Sequence, residues 1–354
     1  MFPSLSRRAG LVAATTLTLA VAGFAAGTPA SAATPASPAS NHPASQRVLM
    51  PTRNAAAAPA ARATPLRYGG AVDGIGVTTG SPKVYVVFYG SQWGTVGTNS
   101  SGYTTLSGDA KGMAPRLQAM YKGLGTNGEL WSGVMTQYCE GVARLATSCT
   151  TGSTHVAYPT SNALAGVWVD ESVASPSNAT AFQLGTEAVH AAAHFGNTTA
   201  AANRNAQYVI VSPSGTHPDG FNTASGNFCA WHDYNGDPFV GVTSPYGDIA
   251  FTNAPYVTDL GASCGQSYVN AGSAGALDGV TIVMGHEYSE TITDQNPAGG
   301  WTDRTGAENA DKCAWIGVGG TGGAQNVAFS TGSFAMQGTW SNDSNNCRIS
   351  HPRA

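Results

Sequence analysis

The stretch Leu277-Asp-Gly-Val-Thr-Ile-Val-Met-Gly-His-Glu-Tyr-Ser-Glu290 decides how this chain is read. Leu277, Val280, Val283 and Met284 recur at three- and four-residue steps, which predicts a helix over 277–293 with an apolar stripe toward the core. Positions four apart on a helix share a face, so His286 and Glu290 point the same way and Glu287 lies one step around. An imidazole and a carboxylate at that spacing can hold one divalent metal. A second carboxylate beside them can take a proton from a water that the metal polarises. The bland alternative is a polar helix face that binds nothing, because His-Glu-x-x-Glu is short enough to arise by chance.

The layout is that of the His-Glu-x-x-His helix of metalloproteases, with Glu290 standing where the second histidine would be. A catalytic zinc needs a third protein ligand and an open position. Glu308, 18 residues past Glu290 in Gly306-Ala-Glu-Asn-Ala-Asp-Lys-Cys313, is the first candidate. In thermolysin-like enzymes the third ligand is likewise a Glu, brought by a second helix about that far on. Asp311 is then placed to orient His286 through the free imidazole N–H. Asp294, Asp303 and His232 are the other candidate ligands. His232, in Phe228-Cys-Ala-Trp-His232, is also the candidate for steadying an oxyanion. Two carboxylate ligands reduce Lewis acidity and shift the preference toward oxygen-loving ions. Zinc is the expected metal, with calcium or manganese as alternatives.

Other constellations compete. His190 and His194 sit four apart with Glu187 before them, but an Ala-rich helix with two exposed histidines is the commoner explanation. His217, in Thr216-His-Pro-Asp219, follows a strand end, where binding loops gather. Gly261-Ala-Ser-Cys-Gly265 matches the G-x-S-x-G of a serine nucleophile. That motif needs a strand before it and a helix after it, and Pro255 and Asp259 precede it here.

The rest of the chain sets the context. Arg7 and Arg8 precede an apolar run from Gly10 to Ala26, and Ala30-Ser-Ala32 offers a cleavage site, so residues 1–32 read as a secretory signal peptide. The run of about 17 residues is short for a membrane anchor, and no later stretch is long and apolar enough to span a bilayer. Residues 33–66 are rich in Ala and Pro and read as a linker or pro-segment. Residues 67–354 then form a single domain. Sixteen Lys and Arg against 20 Asp and Glu, with no basic stripe, argue against a nucleic-acid partner. Six cysteines in an exported chain read as disulfides. Fifteen pairings are open, and the sequential set (Cys139/Cys149, Cys229/Cys264, Cys313/Cys347) closes the shortest loops. A Cys-ligated metal would want a C-x-x-C, and there is none.

Buried strands are expected at Lys83–Tyr89 and at 207–212, and helices at 114–124 and 178–194. Strands and helices mix without strict alternation. The fold class expected is α+β: one zincin-like domain, a mixed sheet with the motif helix beneath it, and loops stapled by disulfides.

Three ordered blocks carry a resemblance. They are Phe228-Cys-Ala-Trp-His232, Leu277–Glu290, and Glu308-Asn-Ala-Asp-Lys-Cys313. Together they resemble the Exordium-type (phosphate-induced) secreted proteins, which carry a similar F-C-x-x-H segment, a D-G-x-x-x-x-x-G-H-E-x-x-E helix and an E-x-x-D-x-C segment in that order. The likeness spans about residues 85–350, with the blocks themselves at 228–313. It implies a secreted protein with a zincin-like site whose ligands fall on His286, Glu290, Glu308 and Asp311. It implies no particular activity. Two functions follow as expectations. The first is a secreted zinc metalloendopeptidase, a hydrolase acting on a peptide or protein substrate with Glu287 as general base. The second is a non-catalytic Exordium-like binding protein with a structural metal. Seven Trp and 13 Tyr permit cell-wall or carbohydrate contact, though no spacing marks a platform for it.

Overall fold

Runs of β-branched and aromatic residues build the centre of the molecule. The computed structural model describes residues 49–55, 64–160 and 162–354. The expected signal peptide and most of the expected Ala/Pro-rich linker or pro-segment lie outside them. Six strands form the main sheet: β1 (Leu49–Pro51), β2 (Lys83–Tyr89), β3 (Leu164–Asp170), β4 (Ala206–Val211), β5 (Phe228–Tyr234) and β6 (Ala250–Ala254). Their order across the sheet is β1-β5-β6-β4-β2-β3. Strands β3, β2, β4 and β6 run parallel, β5 runs against them, and β1 is antiparallel to β5. This is a mixed sheet. Strand β4 is buried at every position and β2 at all but Lys83, as expected for parallel strands covered on both faces.

Helices lie on both faces. Helix α1 (Met113–Gly123) and helix α3 (Asp278–Thr293) pack together, and α3 also packs on β5 and β6. Helix α2 (Ala181–His194) packs on β4 and β6 from the other side. The faces follow from register. His232 pairs with Thr252 and points toward α3, whereas the neighbouring Phe251 stacks edge-on with Trp231 and lies against Gly185 of α2. Helix α2 begins at a capping box of Thr180 and Gln183 and stops at Gly196, whose φ of 74° ends the helix.

Three features depart from the sequence reading. Strand β3 carries no clear pattern because it is a half-buried edge, yet its presence makes β2-α1-β3-α2-β4 alternate. Helix α3 has no exposed face: all its residues are buried, including its polar ones. A helix buried all round is walled in by the core rather than laid on it. Its extra wall is a hairpin of β7 (Gln325–Phe329) and β8 (Gly332–Met336), together with the 3₁₀ segment Val257–Cys264.

The three disulfides are Cys139–Cys149, Cys229–Cys264 and Cys313–Cys347. The second ties β5 to the 3₁₀ segment beneath α3. The third ties the turn after Asp311 to the C-terminal strands.

Candidate metal centre

Helix α3 presents His286, Glu287 and Glu290 inward because no side of it faces solvent. Strand β5 brings His232 to the same place. The 308–313 segment closes over them, pinned to the helix by hydrogen bonds. The Asp311 amide donates to Glu290 Oε1 (2.9 Å), and the Asn309 amide group donates to the Ser289 carbonyl (3.3 Å).

The donor atoms converge. His286 Nε2 lies 3.0 Å from Glu290 Oε2 and 3.5 Å from Asp311 Oδ1. His232 Nδ1 lies 3.6 Å from Glu287 Oε2 and 3.8 Å from Glu290 Oε2, and His232 Nε2 lies 3.6 Å from Glu308 Oε1. Glu308 and His286 are fully buried, and Glu287, Glu290 and His232 are at most 2% exposed. Two groups of three residues hold ligand atoms within 4.8 Å of one another: His232, Glu290 and Glu308, and His286, Glu290 and Asp311. The trio expected from sequence, His286 with Glu290 and Glu308, is divided between them.

Both imidazoles have their protons assigned by their neighbours. His286 Nδ1 donates to Gln337 Oε1 at 3.2 Å. The Gln337 amide nitrogen faces the carbonyls of Ala310 and Gly338, which orients its oxygen toward the imidazole. Nε2 is therefore the ring nitrogen turned toward Glu290 and Asp311. His232 Nε2 donates to the Asp294 carbonyl (3.3 Å), leaving the Nδ1 lone pair toward Glu287 and Glu290. Asp311 does not stand behind the imidazole as expected. It faces Nε2, the ligating side, and Gln337 holds the back of the ring instead. Nothing in the pattern around Gln337 marks it, since the hairpin that delivers it is distant in sequence from α3.

The other candidates are accounted for. Asp294 caps the end of α3, and its carboxylate accepts from the amides of Ala298 and Gly300, so it is not a free ligand. Asp303 is held by Lys312 Nζ at 2.9 Å and by Thr305. His190 is exposed and His194 stacks on Trp168. His217 Nδ1 donates to the Phe221 carbonyl. Ser263 sits in the 3₁₀ segment beside the bridged Cys264, not on a strand-to-helix turn.

No protein-family model matches the chain, and neither a curated protein nor a solved structure is significantly similar to it. The site is defined by its own chemistry.

That chemistry is an excess of buried negative charge. Burial pushes Glu287 up to about 8, with Asp311 adding to it. Burial and then Asp311 raise Glu290 to about 7. Burial and the Glu290 carboxylate hold Glu308 well above the usual range. Burial alone would lower His286, but Glu290 and Asp311 outweigh it and hold it well above the usual imidazole range. Each shift says that a positive charge would be welcome there. Lys312, in the 308–313 segment itself, is spent on Asp303. His232 Nδ1, His286 Nε2 and both oxygens of Glu287 and of Glu308 are buried with no hydrogen-bond partner. Buried polar atoms are rarely left so, and a bound cation is the group that would satisfy them together. Neighbouring ligand atoms on a zinc ion sit roughly 3.0–3.5 Å apart, given bonds of about 2.1 Å. The 3.0 and 3.5 Å separations around His286 Nε2 match that. Mixed imidazole and carboxylate donors suit zinc, and the carboxylate share also admits manganese.

Proposed function

We propose that the protein is a secreted metalloprotein whose cation locks α3, β5 and the 308–313 segment into one buried core. The observation that carries this reading is the burial of every donor but Asp311, together with the unpartnered atoms of His232, His286 and Glu308. An unpaired charge buried in this way costs several kcal/mol even after relaxation. A cation that removes the penalty only in the folded state contributes its binding energy to stability. Three disulfides support an oxidising, extracellular compartment, and no helix among the described residues is long and apolar enough to cross a membrane. The three blocks that resemble Exordium-type proteins meet at this centre, which supports a binding role of that kind.

A second reading, a zinc peptidase on a zincin-like fold, is favoured by Glu287. Its carboxylate stands free beside His232, and a group near 8 can both accept and return a proton close to neutral pH. Bound zinc would supply Lewis acidity toward a carbonyl oxygen. Glu287 would take the proton of the attacking water and pass it to the leaving amine, with His232 beside the developing oxyanion. This reading requires the site to open, because Glu287 is only 1% exposed. It also requires a place for substrate. The outer edge of β5, where an extended peptide would add as a strand, is taken by β1.

One experiment separates the two. The full chain is melted with and without chelator, beside peptide-library cleavage by wild type and Glu287→Gln read by mass spectrometry. A chelator-sensitive melt without cleavage supports the structural cation. Cleavage by wild type but not by Glu287→Gln transfers the site to catalysis. A melting temperature indifferent to chelator overturns the metal-locked core.

A further inference from the structure

One ion does not fit all the donors at this centre. The two ligand groups share only Glu290, and among the described residues no group within 4.8 Å takes in His232, His286 and both acids of the 308–313 segment. Two atoms on one ion lie no further apart than twice the bond length, about 4.2 Å for zinc. Glu290 Oε2 faces both histidines, 3.0 Å from His286 Nε2 and 3.8 Å from His232 Nδ1. The unpartnered buried atoms are also divided. His286, with Nε2 unpartnered, belongs to one group, and His232 and Glu308, with Nδ1 and both carboxylate oxygens unpartnered, belong to the other. Each group thus has its own buried side chain with an unpartnered polar atom.

Charge points the same way. Glu287, Glu290, Asp294, Glu308 and Asp311 bring five carboxylates to the cluster, and among the described residues none is paired with Lys or Arg. With all five ionised, one divalent cation would offset two of their charges, and two would offset four.

We infer that the centre takes two divalent cations bridged by Glu290. The first is held by His286, Glu290 and Asp311, and the second by His232, Glu290 and Glu308. Imidazole with carboxylates at each position suits zinc or manganese. The inference rests on the proposed metal-binding reading and sets its stoichiometry.

The test is metal content. The full chain is loaded with zinc, desalted and measured by elemental analysis and native mass spectrometry. Wild type should carry two ions. Asp311→Asn and His232→Gln should each carry one. One ion in wild type, lost completely in either variant, overturns the bridged pair while leaving the metal-binding reading standing. No ion in wild type removes both. Manganese-loaded wild type gives a second readout that needs no variant. Paramagnetic resonance should show a magnetically coupled pair, and the spectrum of isolated ions at full loading would overturn the proposal.

Discussion

Gln337 shows how much a single side chain can decide. Its amide is held by two backbone carbonyls, so its oxygen must face His286 Nδ1, and that leaves Nε2 free to bind a cation. Partners of this kind typically account for 10–100-fold in metal affinity. Gln337→Leu is therefore expected to weaken zinc binding by about that factor in competition with a chelating dye. Affinity equal to wild type would show that the imidazole is oriented by something else. Glu290 is the residue with the most roles. It is a donor in both ligand groups, and its other oxygen accepts from the Asp311 amide.

Helix α3 has to fit into a slot with no free side, and its glycines measure the fit. A Cβ on Gly279 would stand 2.0 Å from the carbonyl oxygen of Cys264, and Cys264 is bridged to Cys229 in β5. Neither backbone can yield. Gly279→Ala should cost about 3 kcal/mol in denaturant unfolding, despite the better helix propensity of Ala. Gly285 is the contrast. A Cβ there meets the terminal methyl of Met336 at 2.6 Å, the far end of a flexible chain. Gly285→Ala should cost about 1 kcal/mol or less. If both variants unfold alike, the close approach at Gly279 is not what positions the helix.

At the scale of the molecule, the centre joins parts of the chain that are far apart in sequence, and the disulfides brace the same joints. Cys229–Cys264 holds β5, with His232, against the segment beneath α3, and Cys313–Cys347 holds the turn that carries Asp311. The second bridge closes a loop of 34 residues, so replacing both of its cysteines by Ala should cost about 2–5 kcal/mol. It should also weaken metal binding, because the 308–313 segment is tethered through it. Denaturant melts and metal titration of the Cys313→Ala/Cys347→Ala protein check both. Unchanged metal affinity would separate the bridge from the site.

Local pattern alone was enough for α1, α2, α3, β2 and β4, each of which begins and ends within a few residues of where periodicity and capping place it. It singled out His232, His286, Glu287, Glu290, Glu308 and Asp311, which the fold brings together, because metal-ligand chemistry restricts the residue types and helical spacing restricts two of the positions. Their arrangement belongs to the tertiary structure. Which nitrogen of His286 faces the acids depends on Gln337, and the place of His232 depends on the register of β5 against β6. Asp294 looked available in sequence, but the chain turns back to cap it with two amides. Strand β3 was hidden because a half-buried edge needs no strong alternation. Sequence spacing reports which side chains share a helix face. The distances across a buried cluster are set by how separate elements pack.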